Sequence, residues 1–262
     1  MTAIDRASGY RSAGWWPDDD LASRYLTTLR GRLDDLAVAD DQGRELTHGQ
    51  LIEAAREMAD DFAGAGVAAG DVVLSIMPNM TAWQVVFLSL LQLGVRPLTI
   101  PVTTDASTIA YLCDLTCTRA IVTAGTHGSV QLPDVAVAAA NNSTRRPGVI
   151  VVDDGDVAII QRADTERHSA RGSDFDHVMT TSSTTGKPKA VLHTNNTLAA
   201  LNIGFAERFG LTGHTPLFMA SPLGHSVGAI HGARLALHLG APLILQDRWD
   251  PQVAIELAAR YR

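Results

Sequence analysis

Lysine is nearly missing from this chain. Of its 21 basic residues only Lys187 and Lys189 are lysine, and the other 19 are arginine. Cysteine is as scarce: Cys113 and Cys117 are the only 2 in 262 residues, so a disulfide framework is excluded as the source of stability. Positive net charge is lacking too, because 21 Lys+Arg against 28 Asp+Glu leaves −7. A platform that grips nucleic-acid phosphates needs the opposite balance. Long apolar runs are missing as well; the longest, Val85 to Leu93, falls far short of the ~20 residues that cross a bilayer. The first residues, Met1-Thr2-Ala3-Ile4-Asp5-Arg6, lack the basic-then-apolar order of a signal peptide. These absences predict a cytoplasmic protein with no nucleic-acid partner and no membrane span, large enough for one or two domains with a sizeable core.

The pattern that is present alternates strands with helices. Residues 1–46 are polar and mixed and read as a lead-in segment with one helix near Leu21 to Leu33. Thr47 and Gln50 form a capping box, after which Leu51, Ala54, Ala55, Met58 and Phe62 recur at helical spacing until Gly64 and Gly66. Val72 to Ile76 is a short β-prone run, Pro78-Asn79 a turn, and Trp83, Val86, Phe87, Leu90 and Leu91 mark a second helix ended by Gly94. A strand at 98–102, a helix at 107–115 and a strand at 120–123 continue the series. The pattern weakens from Gly125 to Asp176, apart from a strand at 149–152. It resumes with a strand at 178–181, a helix at about 196–209, a strand at 217–220, a helix at about 227–239, a strand at 243–245, and a helix capped by Asp250-Pro251. Such alternation requires crossover connections and therefore an α/β fold with mostly parallel sheets layered with helices.

One segment concentrates chemistry. Thr180-Thr181-Ser182-Ser183-Thr184-Thr185-Gly186-Lys187-Pro188-Lys189 follows a strand and packs six hydroxyl residues, a glycine and both lysines into one loop. Hydroxyls and open backbone N–H groups can donate to several phosphate oxygens at once, and lysine is a compact, flexible cation for them. A solvated Ser/Thr linker would share the composition; the placement after a strand and the gathering of both lysines favour a polyphosphate ligand. An ordinary P-loop is disfavoured, because its first glycine and its Ser/Thr after the lysine are replaced by Thr181 and Pro188.

The loop resembles the signature of the adenylate-forming enzymes, the acyl-CoA synthetase or AMP-binding superfamily: Thr-Ser-Gly-Thr-Thr-Gly-x-Pro-Lys-Gly, an apolar residue, and often His-Thr. This chain has Thr181-Ser182-Ser183-Thr184-Thr185-Gly186-Lys187-Pro188-Lys189-Ala190-Val191 and then His193-Thr194, departing from two glycines at Ser183 and Ala190. Gly70-Asp71-Val72 and Met77-Pro78-Asn79 resemble the family's Gly-Asp-x-Val strand entry and Leu-Pro-Asn turn. Pro222-Leu223-Gly224-His225-Ser226-Val227-Gly228 is similar to its second core motif, Pro-Leu-Phe-His-x-x-Gly. Gln246-Asp247-Arg248-Trp249-Asp250-Pro251 resembles members acting on medium-chain or alicyclic acids, the cyclohexanecarboxylate-CoA ligase-like branch.

The resemblance implies an ATP-dependent carboxylic acid-CoA ligase that uses ATP, Mg2+ and CoA on a fatty, alicyclic or aryl acid, a step of fatty acid metabolism. Thr181, Ser182, Ser183, Thr184, Thr185, Gly186, Lys187 and Lys189 would hold the β- and γ-phosphates, and His225 would border the acid. No metal ligand is assigned. The family's aromatic-Gly-x-Thr-Glu segment, ribose Asp, hinge and C-terminal lysine domain do not occur before Arg262. Residues 47–262 are therefore expected to form an incomplete N-terminal ATP/acyl-binding domain of an adenylate-forming enzyme, inactive as this piece. A non-catalytic, degenerate nucleotide-binding or interaction module, or adenylation with transfer to a carrier protein, are the alternatives; a homodimer is a further expectation, and a truncated sheet edge could self-associate artefactually.

Other candidates are read as structural. Cys113 and Cys117 lie four apart on a predicted helix with no Cys/His pair to complete a zinc set. His231 and His238 lack the acidic neighbour of a metalloprotease motif. The pairs Asp34-Asp35, Asp60-Asp61 and Asp153-Asp154 read as solvated faces or caps.

Overall fold

The computed structural model describes residues 3–16, 20–153, 155–164, 175–181 and 186–262. Helices α1 (Ala3–Ser12) and α2 (Leu21–Arg30) come first, then strands β1 (Leu36–Asp40) and β2 (Glu45–Thr47) and helix α3 (His48–Gly64). A regular alternation follows: β3 (Val72–Ile76), α4 (Thr81–Gln92), β4 (Arg96–Ile100), α5 (Ala106–Thr116) and β5 (Thr118–Thr123). A short hairpin, β6 (Thr126–His127) and β7 (Val130–Gln131), leads to α6 (Leu132–Asn142), β8 (Gly148–Asp153) and β9 (Asp156–Gln161). Next are β10 (His177–Thr180), β11 (Ala190–His193), α7 (Asn195–Phe209) and β12 (Leu217–Met219). A π-helical segment (Val227–Arg234) continues as α8 (Leu235–Leu239), before β13 (Leu243–Leu245) and α9 (Pro251–Arg260).

The strands form a seven-stranded sheet in the order β11-β10-β4-β3-β5-β8-β9 and a four-stranded sheet in the order β12-β13-β1-β2. In the larger sheet β10, β4, β3, β5 and β8 are parallel, and only the edge strands β11 and β9 run antiparallel. The α/β expectation is met. β3 is buried at all five positions, the continuous apolar run expected of a strand covered on both faces. From β3 the chain crosses to β4 on one side, and from β5 to β8 on the other. The crevice beyond the C-terminal ends of β3 and β5 is thus a switch point, where α/β sheets bind ligands.

Helix α4 explains how the two sheets become one body. Every residue from Thr81 to Leu91 is buried, and the helix packs against α2, α3, β1 and β4 together. A helix apolar all round belongs inside a protein. Its large side chains, with Trp83 and Phe87 stacked at 5.0 Å, each contribute roughly 1.5–3 kcal/mol by leaving water. Two of its buried donors are paired: Ser89 Oγ donates to Val85 O (2.6 Å) and Gln84 Nε2 to Ala233 O (3.1 Å), while Gln84 Oε1 has no partner among the described residues. Within residues 1–46, α2 and β1 send Leu21, Tyr25, Leu29 and Val38 into this same core, and β1 pairs in parallel with β13. The helix expected near Leu21 to Leu33 is α2, while β1 is hidden by the polar composition of that stretch.

Several elements differ from the sequence expectation, which includes none of α1, β1, β2, β6, β7 and β9. Helix α6 fills part of the stretch where the pattern weakens; its Ala-Val-Ala-Ala-Ala run carries little periodic contrast, although Pro133 marks its first turn. The helix expected at 227–239 begins with a π-helical turn, where Gly232 lies close against the Met219 side chain, 3.1 Å from where a Cβ would stand. The hydroxyl loop ends in a strand: β10 and β11 form an antiparallel hairpin, with His177 opposite His193 and Thr180 opposite Ala190.

Candidate functional site

The hairpin fixes the geometry of the hydroxyl loop. Because β10 lies parallel to β4, with Val178 beside Leu98, the loop leaves the sheet at the C-terminal ends of the parallel strands. Two hydrogen bonds close its base: Thr181 N donates to Lys189 O (3.1 Å) and Lys189 N to Thr181 Oγ1 (3.1 Å). Thr181, Gly186, Lys187 and Lys189 are all exposed. Ser182, Ser183, Thr184 and Thr185 lie outside the described residues. The two lysines are held differently. Lys187 Nζ stands 4.6 Å above the ring of Tyr111 on α5, a cation–π contact, while the Lys189 backbone is zipped to Thr181. Ala190 starts β11 in ordinary extended backbone; among the described residues the non-glycine positions with positive φ are Cys117 and Arg146. The departure from glycine at 190 therefore carries no backbone strain.

Beneath the hairpin lies a buried cationic cluster that the sequence does not reveal. Arg234, from the π-helical segment, is fully buried with its guanidinium 5.1 Å over the Phe87 ring, 3.0 Å from His177 Nδ1 and 3.4 Å from Asn195 Oδ1. Burial, then the charge of Arg234, then His193, hold the His177 imidazole well below its usual range. His193, partly buried in the facing strand, is lowered by burial and by Arg234. A neutral His177 can accept from the guanidinium, which fits these shifts.

His225 lies on the loop between β12 and the π-helical segment. It is exposed, with Nδ1 3.4 Å from Ser226 Oγ. The loop is tightly built: His225 N donates to Pro222 O (2.9 Å) and Ala229 N to His225 O (2.9 Å). A Cβ at Gly224 would collide with the Ile100 carbonyl at the end of β4, and one at Gly228 with the Pro222 carbonyl. His225 and the hairpin loop therefore come from different sheets, and both adjoin the β4/β10 end of the parallel strands.

The other candidates take structural places. Cys113 is buried in the core, its thiol pushed up to about 12 by burial, and Cys117 closes α5 in the left-handed region at φ 54°. His231 packs on Phe205 with centroids 4.5 Å apart, and His238 is held low by burial and by Arg24. Asp35 pairs with Arg32 (2.7 Å) and Asp60 with Arg56 (3.3 Å). Among the described residues no group of three His, Cys, Asp or Glu could hold a metal ion, and no helix is long and apolar enough to cross a membrane.

This arrangement is that of the AMP-binding enzymes: residues 27–262 match the family described as "AMP-binding enzyme", and the chain belongs to it. The medium-chain fatty-acid–CoA ligase of Escherichia coli (strain K12) is 24% identical over 98% of this chain and 47% of its own. The 2-succinylbenzoate–CoA ligase of Geobacillus kaustophilus (strain HTA426) is 30% identical over 86% of this chain and 43% of its own. Among solved structures, apo MbtA of Mycobacterium smegmatis superposes with a TM-score of 0.78 at 25% identity, over 98% of this chain and 49% of that one. The chain thus spans about half the length of the relatives it matches.

Proposed function

We propose that this chain supplies the phosphate-holding and acyl-bordering part of an ATP-dependent carboxylic acid–CoA ligase, in the medium-chain or alicyclic branch of the family. In that reaction a substrate carboxylate oxygen bonds to the α-phosphorus of ATP as the bond to pyrophosphate breaks. The CoA thiol then forms a thioester with the acyl carbon, and AMP leaves. The observation that carries the reading is the hairpin loop 181–189, closed by Thr181 and Lys189, with both of the chain's lysines at the C-terminal end of the parallel strands.

Lys189 and Lys187 would neutralise β- and γ-phosphate charge, with Thr181, Ser182, Ser183, Thr184, Thr185 and the Gly186 backbone as donors. His225 would border the acid. Such groups hold the triphosphate where charge develops in the transition state and keep the reactants in line. Mg2+ keeps several waters and is bound largely through substrate phosphates. The unit is residues 47–262 together with α2 and β1. On this reading both lysines of these 262 residues, Lys187 and Lys189, serve the phosphates.

Titration calorimetry with Mg·ATP tests the reading. Lys189→Ala removes a charged hydrogen bond of roughly 1.5–3 kcal/mol, so affinity should fall about 10- to 100-fold. Lys187→Ala should cost less, since Lys187 must first leave Tyr111. Unchanged affinity in Lys189→Ala would overturn the assignment.

A further inference from the structure

The Met77-Pro78-Asn79 turn has so far only marked the end of β3, yet Asn79 is almost fully buried at 4% exposure. Its side chain makes no bond within its own turn. Nδ2 donates to Ser221 O (3.0 Å) and to Gln246 O (3.1 Å), and Oδ1 accepts from Leu223 N (2.8 Å). Its backbone N donates to Asp247 Oδ1 (3.1 Å), whose other oxygen lies 3.0 Å from His127 Nε2. The carboxamide orientation is dictated by this set: turned over, it would face two carbonyls with an oxygen and an N–H with an NH2.

Two of the three side-chain bonds go to the segment that ends in His225. Ser221 and Leu223 are tied to Asn79, Gly224 is pressed on the Ile100 carbonyl, and His225 is the first exposed residue after them. The third bond, to Gln246 O, anchors the same carboxamide to the end of β13. The switch point of the larger sheet therefore reaches across and holds the loop of the smaller one.

We propose that Asn79 is a positioning residue for His225, its carboxamide fixing the Ser221–Gly224 segment so that the imidazole is presented at the C-terminal end of the parallel strands. Its importance for catalysis rests on the reading of His225 as the acid-bordering residue; the positioning itself does not. No other side chain supplies the set. Aspartate would keep the acceptor for Leu223 N but turn a carboxylate on two carbonyls, glutamine is one methylene too long, and alanine removes all three bonds, two of them, to Leu223 N and Gln246 O, in buried surroundings.

The test uses the 262-residue chain, comparing wild type with Asn79→Ala, Asn79→Ser and, as a destabilised core control on α5, Leu112→Ala. The readouts are amide hydrogen exchange and the His225 ring resonance by NMR. In Asn79→Ala, exchange at Leu223–Val227 should accelerate at least about tenfold beyond the change in β3 and β5, and the His225 ring resonance should shift. Asn79→Ser should fall between, and Leu112→Ala should leave the ring resonance in place. Loop exchange that rises only as much as the core, with an unmoved His225 resonance, overturns the proposal. Should the variants not fold, the wild type still decides: Leu223 N–H must exchange as slowly as the core, and a fast Leu223 amide overturns it. Failure of the acid-binding reading shows separately, as no change of the wild-type His225 resonance on adding a medium-chain carboxylate with ATP.

Discussion

Residues 190 and 177 show how local chemistry decides what the sequence leaves open. Ala190 stands where the resembling family has glycine, and the sequence alone does not tell whether that position needs glycine's freedom. The structure puts it in the first position of β11, opposite Thr180, in extended backbone. Ala190→Gly should therefore leave ATP affinity within about twofold and cost roughly 0.5–1 kcal/mol of stability through chain entropy, measured by calorimetry and urea unfolding. His177 offers a pH signature. Its folded-state basicity is depressed by burial and Arg234, so below the unfolded value of 6.5 the unfolded chain binds the extra proton. Stability is then fully present above pH 6.5 and falls as the pH drops below it, by up to about 1.4 kcal/mol per pH unit for this one group. His48, His193, His231 and His238 are shifted in the same direction. Urea midpoints at pH 7.5 and 5.5 should show the loss, and His177→Gln should reduce it, leaving the part due to the other four histidines. A midpoint independent of pH in the wild type contradicts the assignment.

At the scale of elements, legibility follows contrast. The capping box at Thr47 and Gln50 is formed in both directions, with Gln50 N 3.2 Å from Thr47 Oγ1 and Thr47 N 2.9 Å from Gln50 Oε1, and α3 starts where that signal places it. β3 and β13 occupy the expected residues because each is a short apolar run bounded by turn residues. α6 is hidden by its alanines, and β11 by being four residues long with Val191 and Leu192 both exposed. The π-helical turn depends on the close approach of Gly228 and Gly232 to Pro222, Leu223 and Met219, a tertiary fact. Asn79 is the clearest case: its identity is visible in the Met-Pro-Asn turn, but its partners lie 142, 144 and 167 residues away. For the same reason Gly224→Ala should be among the most damaging small substitutions. A methyl group there meets the β4 backbone, not a yielding side chain, so a thermal midpoint lowered by several degrees is expected, against little change for Gly186→Ala, where a Cβ has open space.

The whole molecule joins two sheets through α4 and gathers both lysines at one end of the larger one. This much was readable: the α/β alternation, the hydroxyl loop and the His225 loop stand in the sequence in order. The hairpin that closes the loop, the cluster under it and the tie from Asn79 arise only when the sheets pack. If both lysines serve the phosphates as proposed, the chain alone should bind Mg·ATP without forming acyl-adenylate; incubation with carboxylates, ATP and hydroxylamine should yield no acyl-hydroxamate above background. The most direct measurement of the central claim compares ATP with AMP by titration calorimetry, in the wild type and in Lys189→Ala. A hairpin that holds β- and γ-phosphates predicts tighter binding of ATP than of AMP, and loss of most of that difference in the variant. Equal affinity for the two nucleotides, or a preference for ATP that survives Lys189→Ala, would contradict it.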